Sequence, residues 1–485
     1  MTHSELEREL DEEGRELLRC FLQAHMDLRS PGEAQGAVRD AEGVERIKTA
    51  AVHKRDLASV FGSVEVRRVG YGAEGEESLH PLDGELNLPP ERYSHELRRR
   101  AAEEAAKGSF DEAVETLARH TGTKVPKRQL EELVARAAED FDAFYEQRSA
   151  TAGTAPGSLM VLSFDAKGVV MHFQDLREAT RKAAAKRKHK HKRRLSKGEK
   201  RNAKRMAQVA TVYTVAPRVR TPEHVMRCMA PIHEVESKNR PRPESKRVWA
   251  SVRKEPEEVI EEAFEEALKR DPRREKKWFV LVDGNKTQLK IVKELQQEYA
   301  VALTVVIDII HVSEYLWKAA IVFHAEGTAQ REEWVSQRLL EVLRGRSSHV
   351  AGGIRRSATL RGLVPEEREA ADDCADYLIK YSSYLRYDQY LAAGAPIATG
   401  VIEGACRHLV KDRMELTGAR WRLISAEAVL RLRALRSSGD FDEYWRFHEA
   451  REYQRNHTAR YADHEVPATK KPYLQPSKPH LKLVK

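Results

Sequence analysis

Three apolar, largely β-branched runs each close on an acid: VLSFD at Asp165, FVLVD at Asp283 and VVID at Asp308. Runs of four to eight apolar residues without helical periodicity read as strands covered on both faces, which demands helices packed above and below a sheet. The first run extends over 159–171 (LMVLSFDAKGVVM), where Gly168 suits a hairpin turn. Further strands are predicted at 206–215 (MAQVATVYTV) and, more weakly, at 248–252, then at 278–282 and 301–307. Residues 256–269 (PEEVIEEAFEEALK) form an amphipathic helix with Pro first, and helices are predicted after Lys286 and after Asp308. A ribbon of strands followed by strand–helix alternation predicts a mixed α/β sheet.

The flanking segments are mainly helical. Residues 4–28 carry Leu6, Leu10, Leu17, Leu18, Phe21 and Leu22 at helical spacing, an amphipathic helix suited to a core or dimer contact. Val64, Val66 and Val69 alternate as a short strand or ribbon, and PLDGELNLPP (81–90) reads as a connector. Residues 94–148 read as three helices. The second opens on a Ser109–Glu112 capping box and breaks at Gly122, and the third starts near Pro126 with Lys127, Arg128 and Gln129 exposed at its head. A helix, a short turn and a helix led by basic and amide residues have the outline of a helix-turn-helix, although any three-helix bundle with a basic corner shares it. Residues 325–398 read as all-helical, interrupting the α/β pattern, which resumes in a helix from about Val401. The organisation expected is therefore an N-terminal helix and ribbon (1–90), a helix-turn-helix-like region (91–150), an α/β core in two parts (155–324 and 399–450) split by the helical insertion, and an extended tail (451–485).

Charge narrows the partners. Residues 181–205 hold fourteen Lys or Arg against one Glu, so in a chain of net charge +9 the remainder is slightly acidic. Such a segment, with Arg187, Lys190, Lys192, Arg193 and Arg194 at its centre, suits a polyanion, nucleic acid first, with counterion release driving the binding; a solvated loop has the same composition. No apolar run approaches the length of a membrane helix, and the acidic start lacks the apolar core of an export signal. Four scattered cysteines form no CxxC pair, as expected in a reducing cytoplasm.

The chemistry rests on acids in combination. Asp165 and Asp283 close strands, and Glu403 lies on the late helix in ATGVIEGACRHLVKDRM. Carboxylates converging from two strands and a helix can hold two Mg²⁺ ions, one activating a water or 3′-hydroxyl and the other stabilising the leaving oxygen, with Mn²⁺ able to substitute. Singly, these acids mean little, because an Asp that ends a strand is more often a helix cap or turn residue. Asp308, with His311 in DIIHVSEYLW, rivals Asp283; the Asp-Gly turn favours Asp283, leaving Asp308 a supporting or capping acid and His311 a packed helix residue. Arg407 and Lys411, one and two turns beyond Glu403, would face the same groove and contact phosphates, or simply be solvated. Arg420 and Trp421 in TGARW could stack on an unpaired base, though a Trp also packs in cores. His189 and His191 add positive character to the basic segment.

With these residues in place, the chain resembles insertion-sequence transposases of the ISKra type. The matching stretches are PLDGELNLPPERYS, SFDEAVETLARHTG, VLSFDAKGVVM, EKRNAKRMAQVATVYTV, VLVDGN, VVIDIIHVSEYLWKAA and ATGVIEGACRHLVKDRMELTGARW, together spanning about residues 80–422. The resemblance implies a ribonuclease-H-like core, with Asp165, Asp283 and Glu403 as its Asp-Asp-Glu triad and the helical insertion before the third acid. It implies hydrolysis of double-stranded DNA at the element's terminal repeats, attack of the freed 3′-hydroxyl on target DNA, and a homodimer on DNA. Two rivals stay open: a structure-specific nuclease on the same fold, and a retired transposase that only binds DNA.

Overall fold

The computed structural model describes residues 1–148, 157–186, 203–229 and 241–470. They form two compact units, Met1–Gln147 with the chain from Asp440 onward, and Arg148–Gly439.

The first unit opens with α1 (His3–Arg29), started by a capping box in which the Glu5 amide donates to Thr2 Oγ1 at 3.3 Å and the Thr2 amide donates to Glu5 at 2.6 Å. A small antiparallel sheet follows: β1 (Val38–Arg39), β2 (Glu45–Ser59) and β3 (Gly62–Gly72). Met26 of α1 enters a core with Leu57, Val64, Val66, Leu82 and Leu88. Gln23 fixes the helix across β3, donating to the Glu65 carbonyl (3.0 Å) and accepting from its amide (2.8 Å). The connector at 81–90 contains a short helix, α2 (Pro81–Glu85), started by its proline. Four helices stand where three were expected: α3 (His95–Lys107), α4 (Phe110–Thr121), α5 (Lys127–Ala137) and α6 (Phe141–Gln147). The Ser109–Glu112 box starts α4, and Gly122, at φ +68°, ends it in the left-handed conformation that glycine adopts without strain.

The second unit is built on a five-stranded mixed sheet in the order β6-β5-β4-β7-β8. Strands β4 (Leu159–Val170), β5 (Lys204–Val215) and β6 (Glu244–Ser251) are antiparallel neighbours; β7 (Trp278–Val282) and β8 (Leu303–Ile307) join β4 in parallel. All of β7 is buried, as a strand covered on both faces must be. Gly168 is not a turn: it pairs with Met206 inside β4, and a Cβ there would meet Lys204 Cδ at 2.7 Å, so the residue is small because the neighbouring strand's side chain lies over it. The link from β4 to β5 carries α7 (Glu178–Ala185), and α8 (Pro222–Met229) follows β5. Then come α9 (Pro256–Arg270), α10 (Lys286–Glu298) and α11 (Ile309–Ala320), each started close to its predicted position. The stretch 325–398 is helical, as α12 (Ala329–Leu343), α13 (Ser347–Leu360), α14 (Pro365–Lys380) and α15 (Tyr387–Ala392). It returns to the sheet where the Ile309 amide donates to the Ile397 carbonyl at 3.0 Å. Helix α16 (Gly400–Ala405) continues into a π-helical turn (Cys406–Lys411) and α17 (Asp412–Met414), and α18 (Leu423–Ser438) completes the unit.

The chain then rejoins the first unit as α19 (Phe441–Asn456), so the boundary placed at 450 falls inside a helix. Nor are residues 451–470 an extended tail: α19 runs to Asn456 and Ala34 bridges Thr469. What fastens α19 is charge. Arg98 on α3, fully buried, donates to Glu452 (2.7 Å) and to Glu91; Arg136 meets Glu91 (2.9 Å); Arg455 meets Glu452 (2.8 Å) and Asp140 (3.1 Å); His448 meets Asp140 (2.7 Å). Three arginines thus balance three carboxylates, the condition under which buried charge is tolerated.

Candidate active site

The three acids share a row, but Asp165 does not close its strand as expected: β4 runs on to Val170, and Asp165 pairs with Val209 of β5 in mid-strand. Ser163 on β4 pairs with Leu281 on β7, and Leu281 with Val306 on β8. Parallel ladders advance in step, so two residues on, Asp165, Asp283 and Asp308 stand level across three adjacent strands, at the carboxyl ends of β7 and β8.

Their surroundings differ. Asp308 is 3% exposed and fully engaged: it caps α11 by accepting from the Ile310 amide (3.0 Å), and accepts from the Thr399 hydroxyl and the Thr399 amide (3.4 Å). Burial pushes its carboxyl above the usual range, partly offset by Thr399. It clasps the returning chain just before α16. Half-buried Asp283 accepts from the Asn285 amide at 2.9 Å, turning the chain through Gly284 at φ +94°. Half-buried Asp165 accepts from its neighbour's amide on Oδ1 (2.6 Å, Ala166), and from the Cys406 thiol on Oδ2 (3.1 Å). Burial, then the Asp165 charge, pushes the Cys406 thiol up, so it stays a protonated donor.

Glu403 sits exposed on α16, three residues before Cys406. Burial and then the charges of Asp308, Asp165 and Glu314 raise its carboxyl above the usual range. The helix that carries Glu403 continues into the π turn, whose first residue, Cys406, donates to Asp165. Among the described residues, no group of three or more His, Cys, Asp or Glu is arranged to hold a metal ion.

The helical insertion grips the rim of this site with tyrosines. Tyr377 and Tyr381, one turn apart on and just beyond α14, donate to the Asp283 (3.4 Å) and Gly284 (2.7 Å) carbonyls. Tyr387 and Tyr390 on α15 donate to the Ile307 (2.7 Å) and Val305 (3.3 Å) carbonyls. Tyr377 stacks on Tyr315 at 4.0 Å between centroids, with His311 edge-on to both. His311 also meets Glu314 at 3.6 Å, so its visible role is packing in this stack. These tyrosines lie in the Tyr-rich run DYLIKYSSYLRYDQYL, and their carbonyl partners are 80–97 residues away in sequence.

Arg407 and Lys411 are exposed, but the π turn that carries them rotates them relative to Glu403, so they do not continue an ideal α-helical stripe. Arg433 on α18 supports that turn, donating to the Leu409 carbonyl (2.8 Å) and to the His408 carbonyl. Arg420 is exposed; Trp421 is not available for base stacking. The Trp421 ring is 4% exposed, its indole N–H donates to the Met414 carbonyl at 3.0 Å, and Arg413 covers its face at 4.7 Å. Its backbone extends the edge of β4, donating to the Val170 carbonyl (3.0 Å).

In the first unit, Lys127, Arg128 and Gln129 are exposed at the head of α5, with Lys127 paired to Asp111 (2.7 Å), Arg128 to Glu132 (3.3 Å), and Gln129 accepting from Tyr93. Arg187, Lys190, Lys192, Arg193 and Arg194, with His189 and His191, lie outside the described residues. No protein-family model matches the chain, and no curated protein matches it.

Proposed function

We propose that this chain is a DNA transposase of the Asp-Asp-Glu class, with a ribonuclease-H-like core formed by the sheet of the second unit. The observation that carries the reading is the acid row: Asp165 and Asp283 each stand two residues beyond the last paired position of adjacent parallel strands, and the late helix of Glu403 leads into the turn whose Cys406 donates to Asp165. Three antiparallel strands joined by two parallel ones, with acids on the first and fourth and a helical insertion before the third, support it further.

The donor chemistry fits Mg²⁺: carboxylate oxygens are the hard ligands it requires, and burial, with the charges of Asp308 and Asp165 added to it, raises the Glu403 carboxyl, a penalty that a dication would relieve. Asp165, Asp283 and Glu403 would hold it, and when bound it supplies activation of the attacking hydroxyl and stabilisation of the leaving oxygen. The protein's own part is positioning. Cys406 holds Asp165 Oδ2, Tyr377 and Tyr381 hold the backbone at Asp283, and Asp308 with Thr399 anchors the segment leading to Glu403. Arg407, Lys411 and Arg420 supply phosphate contacts, joined by the basic segment around 187–194. Helices α4 and α5 act as a helix-turn-helix on the terminal repeats, led by Lys127, Arg128 and Gln129. The protein works in the cytoplasm as a homodimer on DNA; among the described residues no helix is long and apolar enough to cross a membrane.

The test is incubation of the full chain with labelled duplex bearing the ends of its own element, a target plasmid and Mg²⁺. Joined products are expected. Cleavage without joining would assign a nuclease, and binding without chemistry a DNA-binding protein.

A further inference from the structure

Helix α1 buries one face and leaves the opposite one bare. Arg15, Arg19, Leu22, Gln23 and Met26 face the rest of their unit, through the Arg119 carbonyl, the Glu65 backbone and the core around Leu57. Half a turn away, Leu6, Leu10, Leu17, Phe21 and Leu28 are 45–62% exposed. With Gly14 and Ala24 filling the intervals, they make one straight stripe from Leu6 to Leu28, about 33 Å of the helix. Large apolar side chains recurring at this spacing on a charged helix are the seam of a helix pair.

We propose that this stripe docks a second copy of the chain, the two α1 helices packing antiparallel about a two-fold axis at Leu17. Two features of the helix select this partner and direction. The first is size: with Leu17 on the axis, Leu10 falls opposite Ala24, Leu6 opposite Leu28, and Phe21 level with Glu13, beside the gap at Gly14, where an added Cβ would meet nothing within 4 Å. Leu10 thus meets a small residue, Leu6 another leucine and Phe21 an open flank, so one surface complements itself, as an isologous contact requires. The second is charge. The first half of α1 carries Glu5, Glu7, Glu9, Asp11, Glu12 and Glu13 against Arg8 and His3, whereas the second carries Arg15, Arg19, Arg29 and His25 against Glu16 and Asp27. A parallel pair would stack the acidic halves on each other; the antiparallel pair sets Glu7 of one copy between His25 and Arg29 of the other. This inference stands apart from the chemistry assigned to the second unit, and it gives a dimer that exists without DNA.

The experiment is sedimentation velocity of the full chain without DNA, with oxidative cross-linking in a Cys20→Ser background. A dimer is expected, weakened about thirtyfold or more by Leu17→Glu at the centre of the contact. Leu17→Cys should cross-link to itself, whereas Leu6→Cys should link only when mixed with Leu28→Cys. The cross-linking arm reads proteins whose fold is checked by circular dichroism, so a misfolded Leu17→Glu chain would not decide the matter. A wild-type monomer at micromolar concentration would overturn the proposal, as would self-linking of Leu6→Cys as ready as that of Leu17→Cys, or a folded Leu17→Glu chain that dimerises unchanged.

Discussion

The charge cluster that fastens α19 to the first unit allows a sharp test of how that unit is held together. Arg98→Met keeps most of the aliphatic stem and removes the charge, leaving Glu452, whose side chain is 0% exposed, with Arg136 (3.4 Å) and Arg455 (2.8 Å). Breaking a buried pair by deleting one partner costs about 3–5 kcal/mol. Two guanidinium groups still reach Glu452, so the lower end, about 3 kcal/mol, is expected. The readout is hydrogen exchange of peptides from α3 and α19 in the full chain, which reports this unit alone. At 1.36 kcal/mol per decade, their slowest amides should exchange on the order of 100-fold faster. Adding Glu452→Gln to Arg98→Met should recover part of the loss, because the stranded charge is then gone.

The same cluster fixes a pH dependence. Burial alone would raise the Glu452 carboxyl, but the Arg98 charge and the hydrogen bonds from Arg455 and Arg98 outweigh it and hold it at about 2. A carboxyl whose folded pKa lies below its unfolded value of 4.5 stabilises the fold fully above that value, and the contribution fades as pH falls towards about 2. The protection gap between wild type and Glu452→Gln should therefore be constant at neutral pH and close between pH 4.5 and 2. Equal exchange in Arg98→Met and wild type, or a gap that widens with acid, would refute the account of this cluster.

Three further outcomes follow from the site. Tyr377→Phe with Tyr381→Phe removes two hydroxyl donors at about 0.5–1.5 kcal/mol each, and should raise exchange at 283–288 and lower strand joining with DNA binding unchanged. Thr399→Val strips buried Asp308 of its hydroxyl donor and should cost about 1–3 kcal/mol in thermal unfolding of the second unit. Neutralising six Lys or Arg within 181–205 should flatten the salt dependence of DNA binding by roughly five units of slope; an unchanged slope would remove that segment from the interface.

Much of the second unit is readable locally, because a run such as WFVLV can only be a covered strand and the Asp-Gly after it can only turn. The Ser109–Glu112 box and Gly122 likewise mark the limits of α4 through bonds between near neighbours. Gly168 misleads because glycine is permissive in both turns and crowded strands, and only the facing Lys204 decides. The partnership of Arg98 with Glu452 spans 354 residues, and nothing near either residue announces it. The π turn after Glu403 is equally silent: its freed carbonyls are satisfied by Arg433, from another helix. Trp421 was legible as either a stacking platform or a core residue, and burial selects the core. For the acids, the strand ends before Asp283 and Asp308 were visible in sequence, but Asp165 lies inside β4 because pairing with β5 carries the strand on to Val170, and the level row and the division of labour between Asp283 and Asp308 depend on sheet register and on Thr399.

The most direct measurement is cleavage and strand joining of the element's own ends in Mg²⁺ by four variants of equal DNA affinity: Asp165→Ala, Asp283→Ala, Glu403→Ala and Asp308→Asn. The account predicts loss of both steps in the first three. Asp308→Asn, which keeps the shape of the clasp, should retain activity. An inactive Asp308→Asn chain beside an active Asp283→Ala chain would contradict the assigned triad, and activity in all four would remove the acid row from the chemistry.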